Sequence, residues 1–282
     1  MIPQLTDSVL IRRDPMPDSL FIVENAALEE LLFSRNVVGW EFQRTCLRAS
    51  ELFLEHLADE LTDLADDISE LVILSKGLTY QLSAAYPHTL GRSLPMNLIA
   101  TKRSSVSSDD AAVDVSYFRF DAPTNALLIG DTVASGATVV ASLRVYMERH
   151  ALHRLYLVSY AGALVGARRI AAFCAANGVE LEMLYGLAAF GLGENGFDLS
   201  FLHPDTLTGD RYRDRAADQF DGRAVSAVGW DFGSQVMSPR KYAELCWMEA
   251  ERWQLHGHPC FALEREPHDL SALSAEAAAF GS

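Results

Sequence analysis

The chain has 282 residues, 49% of them hydrophobic, and a formal net charge of −15 at pH 7. This length is enough for one large domain or two modest ones, and the composition is that of an ordinary globular protein rather than a disordered or fibrous one. The acidic charge argues against nucleic acid or an anionic membrane as the main partner, since both select basic faces.

The sequence carries no recognisable targeting or membrane signal. Its first residues, MIPQLTDSVLIRRDP, lack the apolar run of a signal peptide. The longest apolar window, LYLVSYAGALVGA, is interrupted by glycines and is too short to cross a bilayer. The four cysteines have no CxxC spacing, which disfavours a disulfide framework or a zinc ribbon. We therefore predict a cytoplasmic protein that spans no membrane.

The order of predicted elements indicates an α/β fold. Leucines at helical spacing, with acidic residues between them, predict two helices within residues 26–70. Short apolar runs then alternate with helical stretches. The predicted strands are 71–75, 94–102, 112–120, 126–130, 153–160 and 179–190. The predicted helices are 78–86, 137–150 and 162–178. Strands separated by such helices predict a doubly wound, mostly parallel sheet covered on both faces.

The chain beyond residue 190 has a different texture. Residues 191–223 are rich in Gly, Asp and Pro and predict an irregular excursion over the edge of the sheet. A last strand is predicted at 224–230, and a helix with Pro239 in its first turn is predicted at 238–255. The final residues, 271–282, form either a short helix or a frayed tail.

The most informative segment is the junction after the predicted strand 126–130. The strand ends on Asp131 and passes into small residues, whose backbone N–H groups can turn inward as an anion nest at a helix N-terminus. The hydroxyls of Thr132, Ser135 and Thr138 add donors for the same phosphate. Asp131 suits sugar hydroxyls or Mg2+ accompanying a phosphorylated sugar. The alternative is a strand–turn–helix junction without a ligand.

This junction, LLIGDTVASGAT, resembles the signature of the type I phosphoribosyltransferases, in which acidic residues and a Thr/Ser–Gly–Thr loop hold a ribose 5-phosphate. Most members carry two adjacent acidic residues there, whereas this chain has Gly130 followed by Asp131, and a single Asp at this place is also a feature of the uracil phosphoribosyltransferase branch. The resemblance covers roughly residues 40–215 and is closest in texture to the uracil phosphoribosyltransferase branch. It implies that the 5-phosphate of phosphoribosyl pyrophosphate (PRPP) contacts Thr132, Val133, Ala134, Ser135, Gly136, Ala137 and Thr138.

The resemblance also implies two further loops around PRPP. A pyrophosphate-binding loop corresponds to Ser75, Lys76 and Gly77, and a mobile loop that closes over the reaction begins at Lys102 and Arg103. The chain has only three lysines, and two of them fall at these loops. The alternative for each lysine is an ordinary solvated surface residue. The catalytic set implied by the family is Asp131, Lys76, Lys102 and Arg103.

A base-binding hood is implied by a further similarity. GLGENGF at 191–197 and Gly209-Asp210-Arg211 resemble the ends of the uracil-enzyme hood, which we define here as residues 191–211. The stretch between them, LSFLHPDTLT, is longer and lacks the glycines that read the pyrimidine edge in that branch. His203 is a candidate base contact or an ordinary surface histidine, and Asp210 is a second candidate metal ligand. An exposed ion pair is the alternative for Asp210 and Arg211.

The domain organisation implied is a helical segment over 1–70, a phosphoribosyltransferase core over 71–190, and the hood with a C-terminal extension over 191–282. The implied activity is transfer of 5-phosphoribosyl from PRPP to a nucleobase, a uracil-like pyrimidine being favoured, with release of pyrophosphate and with Mg2+ as cofactor. A homodimer is expected because paired subunits are common in the family. The alternatives are a non-catalytic sensor of PRPP or a nucleotide, and a phosphoribosyltransferase with an unusual acceptor.

Overall fold

The structure, a computed structural model, describes residues 9–34, 39–64, 66–103, 113–193, 196, 199–222 and 224. The elements predicted beyond residue 224 lie outside these residues. In the described part, the helices are α1 (Ala26–Phe33), α2 (Gly39–His56), α3 (Ala58–Asp63), α4 (Leu82–Leu90), α5 (Ala137–Met147), α6 (Leu164–Ala176) and α7 (Asp210–Gln219), with a 3-10 helix over Lys76–Tyr80. None of them has the length and apolar character needed to cross a membrane.

The strands form one large sheet and one small one. They are β1 (Val9–Ile11), β2 (Leu20–Glu24), β3 (Ile68–Leu74), β4 (Met96–Arg103), β5 (Val113–Arg119), β6 (Ala126–Gly130), β7 (Arg154–Ser159), β8 (Gly162–Ala163), β9 (Glu180–Gly186), β10 (Ala188–Leu192), β11 (Leu199–Ser200) and β12 (Leu207–Thr208). The large sheet has the order β1-β2-β9-β7-β6-β3-β4-β5. The six central strands, β2, β9, β7, β6, β3 and β4 in sheet order, all pair in parallel. The edge strands β1 and β5 pair antiparallel with β2 and β4. The predicted doubly wound, mostly parallel sheet is confirmed.

The core lies in two layers, one on each face of the large sheet. On one face, α1, α2 and α4 pack against side chains such as Leu128 and Val158. On the other, α5 and α6 cover Leu127 and Leu157. Strand β6 is buried along its whole length because helices cover both faces. This explains why its sequence is a continuous apolar run rather than an alternating one.

The predicted strand 179–190 is divided in two. Leu187 adopts a left-handed conformation, with φ of 60°, between β9 and β10. The chain therefore leaves the large sheet after Gly186, and β10 becomes the centre of the small sheet, where it pairs with β8, β11 and β12. Most of the hood, which sequence periodicity predicts as irregular, is organised around this strand.

The N-terminal segment differs from the prediction in two ways. Strand β2 was not predicted, and it inserts beside β9 as a parallel strand of the large sheet. Its five residues, LFIVE, are too few to display a period, so only pairing with β9 defines them as a strand. The helical part contains α1, α2 and α3 instead of two helices, with α2 and α3 separated at Leu57.

Candidate functional site

Asp131 lies at the carboxyl edge of the large sheet, directly after β6. Strand β6 sits between β7 and β3 in the middle of the sheet, which is where open α/β sheets place their ligands. The residue is only 6% exposed, and its backbone N–H donates to the carbonyl oxygen of Val158 at 3.2 Å. The carboxyl group is therefore carried by a fixed backbone position at the mouth of the loop.

The loop after Asp131 is held by the segment that follows β7. The N–H of Val133 donates to the carbonyl of Ala161 at 3.3 Å, and the carbonyl of Val133 accepts from the N–H of Ala163 at 2.7 Å. The Val133 side chain is buried, whereas Thr132 and Ser135 are half-buried. The apolar residue of the loop thus anchors it, and the hydroxyl-bearing residues remain partly accessible.

Two glycines bring the loop and α6 into backbone contact. Gly136, with φ of 74°, precedes the first residue of α5, and a Cβ atom on it would lie 2.8 Å from the carbonyl oxygen of Gly166. A Cβ on Gly166 would lie 2.3 Å from the carbonyl oxygen of Ala134. Ala137 and Thr138 are half-buried in the first turn of α5. The loop is therefore shaped by a close approach that only glycine allows.

The two predicted phosphate loops are neighbours in the structure. Strand β3 ends at Leu74, whose peptide bond to Ser75 is cis, and Ser75 and Lys76 are both exposed. Gly77 is buried, and a Cβ on it would lie 3.3 Å from the carbonyl oxygen of Gly130. The loop at 75–77 therefore adjoins the end of β6, one residue before Asp131.

Residues 104–112, which make up most of the predicted closing loop, lie outside the described residues, but its first residues, Lys102 and Arg103, are described at the end of β4. Ala100 of β4 pairs with Leu74 of β3, and Lys102 lies two residues further along β4. The side chain of Lys102 is exposed, and its cross-strand partner on β5 is Asp114. Arg103 is the last residue of β4. The sheet thus brings Lys102 to the edge that carries Lys76 and Asp131.

Tyr80, which no sequence pattern singles out, occupies the space beside Gly130. A Cβ on Gly130 would lie 2.5 Å from Cγ of Tyr80, and the tyrosine ring stacks on Tyr160 with centroids 4.0 Å apart. The Tyr80 hydroxyl accepts from the N–H of Tyr160 at 3.1 Å and lies 3.4 Å from Oγ1 of Thr132. Burial, followed by the charge of Asp131, raises the Tyr80 pKa, while these hydrogen bonds lower it. The ring therefore fills the volume that a side chain at position 130 would need.

Tyr185, which is likewise not singled out by any sequence pattern, approaches from the opposite core layer. It lies at the end of β9, fully buried, and a Cβ on Gly162 would lie 2.2 Å from its ring. Its hydroxyl has no hydrogen-bond partner among the described residues. Burial first, and then the nearby Tyr80 and Asp131, raise its pKa well above the ordinary value. Only the closely spaced Gly162 and Gly166 gave a sequence signal of tight packing here.

The predicted Gly-Asp-Arg of the hood docks on β2 and α1. A Cβ on Gly209 would lie 3.3 Å from Oε1 of Glu24. Arg211 forms ion pairs with Glu24 at 3.0 Å and with Glu29 at 3.3 Å. Asp210 is exposed as the first residue of α7. Within the described ranges, no three His, Cys, Asp or Glu side chains assemble into a metal-binding group.

His203 is packed on β10, in the small sheet. A Cβ on Gly191 would lie 1.9 Å from its Nδ1, and this nitrogen accepts from the N–H of Asp205 at 3.2 Å. A cleft of about 630 Å3 opens nearby, between β10, Pro204, Pro15 and the start of α6. Of the described residues, those that line it include none from the loop 131–138. The cleft and the loop 131–138 therefore have no lining residue in common.

No protein-family model matches the sequence, and no curated protein matches it either. Among solved structures, the chain is similar to the AQ2163 protein from Aquifex aeolicus, at 15% identity over 62% of this chain and 91% of that one, with a TM-score of 0.46. It is similar to adenine phosphoribosyl transferase from Trypanosoma brucei in complex with AMP, pyrophosphate and ribose-5-phosphate, at 14% identity, 63% and 87% coverage and a TM-score of 0.42. It is also similar to a phosphoribosyltransferase from Corynebacterium diphtheriae, at 18% identity, 57% and 96% coverage and a TM-score of 0.34. Two of these three structures are thus phosphoribosyltransferases, the family that the sequence resembles.

Proposed function

We propose that the chain is a phosphoribosyltransferase that transfers the 5-phosphoribosyl group of PRPP to a nucleobase. The observation that carries the proposal is the packing of Gly77 against the carbonyl of Gly130, described above. It joins two loops that the sequence separates by more than fifty residues, and the resemblance assigns them to the two ends of one PRPP molecule. An ordinary strand–turn–helix junction would have no reason to carry a glycine-and-lysine loop at its side.

The roles follow the positions of the residues around that contact. We assign the 5-phosphate to the loop Thr132–Thr138, at the start of α5, and the ribose hydroxyls to Asp131. The pyrophosphate is assigned to Ser75, Lys76 and Gly77. Lys102 and Arg103, at the end of β4 on the same edge, are also assigned to the leaving group.

Mg2+ fits this site as an ion that arrives with the substrate. It is usually bound by one or two carboxylates together with substrate phosphates and water, and Asp131 supplies one such carboxylate. The described residues provide no group of three ligands, so we expect PRPP and water to complete the coordination. When bound, the ion would neutralise charge on the pyrophosphate. We propose Asp210, exposed as the first residue of α7, as a second candidate ligand of the ion.

In the proposed reaction, the bond between C1 of the ribose and the pyrophosphate oxygen breaks, pyrophosphate leaves, and a base nitrogen bonds to C1. Positive charge develops on the ribose and negative charge on the leaving group. Lys76, the backbone around Gly77, and Lys102 would stabilise the leaving group electrostatically. Exclusion of water by the closing loop would protect the activated sugar from hydrolysis. The chain needs no covalent nucleophile for this sequence.

The acceptor is proposed to be a uracil-like pyrimidine, in a cytoplasmic salvage reaction of a homodimer. The support is the similarity of the hood ends to the uracil branch, with His203 as a candidate contact. In the neutral histidine, Nδ1 accepts a hydrogen bond, so the proton resides on Nε2, which is then a donor for a carbonyl acceptor. A purine or an unusual acceptor is the alternative, because the stretch 199–208 departs from that branch.

The test is calorimetric titration with Mg-PRPP, comparing the wild type, Asp131→Asn and Asp121→Asn. Asp121 is exposed and pairs with Arg119, so its variant controls for loss of one negative charge. We expect micromolar binding, about −8 kcal/mol, that is weakened by roughly tenfold or more only in Asp131→Asn. Absence of wild-type binding up to a millimolar would contradict the proposal. Pyrophosphate release with pyrimidines and purines would then identify the acceptor, and sedimentation would test the dimer.

A non-catalytic sensor is the second candidate, and the filling of position 130 by Tyr80 favours it, since one acid of the usual pair is absent. Lys102→Ala and Arg103→Ala distinguish the two functions. An enzyme would keep PRPP affinity within a few fold but lose roughly 10²–10³ in the rate of pyrophosphate release. A sensor would bind PRPP in all forms and release no pyrophosphate with any base.

A further inference from the structure

The hydroxyl of Tyr185 is a buried donor that the described part of the fold leaves unused. The side chain is fully buried, and no described residue accepts from its hydroxyl. Burying such a group without a partner costs stability, and each case in a native fold calls for a physical reason. Phenylalanine would fill the same slot against Gly162 without that cost. The hydroxyl is therefore present for something other than packing.

The surroundings of the hydroxyl identify its partner. Tyr185 pairs across the sheet with Ser159 of β7 and Ile22 of β2. Its ring lies against Gly162, which forms a bridge with Val133, two residues after Asp131. The titratable groups that act on it electrostatically are Tyr80 and Asp131. The Tyr80 hydroxyl already accepts from the N–H of Tyr160 and is near Thr132. Of these neighbours, the carboxyl group of Asp131 is the strong acceptor, and a carboxylate takes up to four hydrogen bonds.

We propose that Tyr185 is a positioning residue for Asp131: its hydroxyl donates to the Asp131 carboxylate when a phosphorylated ribose binds, and holds that carboxylate toward the sugar hydroxyls. This inference rests on the proposed function of the Asp131 site. With Gly130 in place of a second acid, one carboxylate must be oriented without a neighbouring one. Tyr80 from one core layer and Tyr185 from the other are the neighbours of that carboxylate.

The hydrogen bond of the Tyr185 hydroxyl would form only in the bound state. The Tyr185 hydroxyl has already lost its water in the free protein, so the hydrogen bond formed on binding is not offset by a second loss of solvation. A bond made only in the bound state contributes its full strength to affinity, because a ligand gains from interactions that differ between the two states. We therefore expect the hydroxyl to matter for binding and not for folding.

The test compares Tyr185→Phe with Tyr146→Phe. Tyr146 is a matched control because its hydroxyl is satisfied, donating to the carbonyl of Thr124 at 2.7 Å and accepting from its N–H at 2.8 Å. Thermal unfolding and Mg-PRPP titration are measured for both. Tyr185→Phe should keep or raise the unfolding midpoint and weaken PRPP binding about tenfold or more. Tyr146→Phe should lower the midpoint and leave affinity unchanged.

A double-mutant cycle connects the effect to Asp131. In an Asp131→Ala background, Tyr185→Phe should change affinity less than twofold, because the acceptor is gone. The same tenfold loss in that background would overturn the inference, as would unchanged affinity of Tyr185→Phe or a midpoint lowered as far as in Tyr146→Phe. Each of these results leaves PRPP binding by the wild type intact. Absence of wild-type binding would instead overturn the proposed function, and the inference with it.

Discussion

The ring of Tyr80 occupies the position that a side chain on residue 130 would take, with Cγ 2.5 Å from a Cβ built there. Glycine at 130 is therefore dictated by an aromatic residue fifty positions earlier in the chain. Because Tyr80 also stacks on Tyr160, the ring cannot move aside without breaking the core layer under α2. The departure from a paired acid is thus part of the packing of this fold and not an isolated substitution.

Gly130→Ala should destabilise the chain by about 1–3 kcal/mol, the usual range for overpacking in a dense core. The reason is the overlap with the Tyr80 ring. Urea unfolding measures the effect. Gly178→Ala cannot serve as the control, because the φ of 67° at Gly178 would strain an alanine for a reason unrelated to packing. The matched test is Gly130→Ala in a Tyr80→Gly background, where the extra methyl group has space. If the alanine costs as much there as in the wild type, the overlap is not the cause.

Gly166→Ala should weaken the binding of ribose 5-phosphate while leaving α6 intact. Alanine favours a helix over glycine by about 1 kcal/mol, but the new Cβ would meet the carbonyl of Ala134 at 2.3 Å. The loop must then shift, and we expect a loss of tenfold or more in affinity by calorimetry. Val165→Ala, an exposed position on the same helix, is the control and should bind normally. Equal affinity of both variants would show that the loop tolerates displacement.

The buried carboxyl group of Glu70 should make stability depend on pH. Burial raises its pKa to about 7 from an ordinary 4.5, partly opposed by hydrogen bonds from Ser83. Between these values the unfolded chain releases its proton while the folded chain keeps it. Stability therefore falls as the pH rises from 4.5 to 7, by about 3 kcal/mol, and then levels off.

Glu70→Gln should remove this pH dependence. Urea unfolding between pH 4 and 8 should show the variant gaining about 3 kcal/mol relative to the wild type across the window. The cost of burying the amide does not vary with pH, so the slope is the readout. Glu41→Gln, at an exposed position of α2, should keep the wild-type slope. Parallel slopes for wild type and Glu70→Gln would show that Glu70 is ionised when buried.

Arg211→Ala should loosen the hood, because it leaves the buried Glu24 without its ion-pair partner. Arg211 is itself 61% exposed, so we expect a modest loss, about 1–2 kcal/mol in urea unfolding. Arg12→Ala, which breaks an exposed pair with Asp18, is the control and should cost less than about 1 kcal/mol. An equal and small effect of both variants would mean that water hydrates the Glu24 carboxylate once Arg211 is removed.

Sequence reasoning predicts those parts of the fold that depend on local pattern. The apolar run 126–130, bounded by Asp131, identifies a buried strand and places its loop at the carboxyl edge, and the structure confirms both. The loop at 75–77 follows from the same rule, because β3 is parallel to β6. A parallel sheet turns separate strand ends into one edge, so loops far apart in sequence become neighbours.

What could not be predicted depends on contacts between distant residues. Tyr80, Tyr160 and Tyr185 are ordinary aromatic residues in the sequence, and only packing brings the first and the last of them close to Asp131. Strand β2 is defined by pairing with β9, more than 150 residues later, and not by a period of its own. The sequence predicts an irregular hood for a related reason. Its strands have two to five residues, which is too short for alternation to show.

The contact of Gly136 with Gly166 has an electrostatic consequence for an acidic chain. It sets the amino ends of α5 and α6 side by side, and neither helix carries an acidic residue in its first turn. Each end is equivalent to about half a positive charge, fixed in the backbone. A molecule of net charge −15 thus has a local positive potential at these two helix N-termini, without a lysine or an arginine to supply it. Because salt screens buried charges far less than exposed ones, attraction to these N-termini should survive at ionic strengths that suppress the contribution of the exposed Lys76.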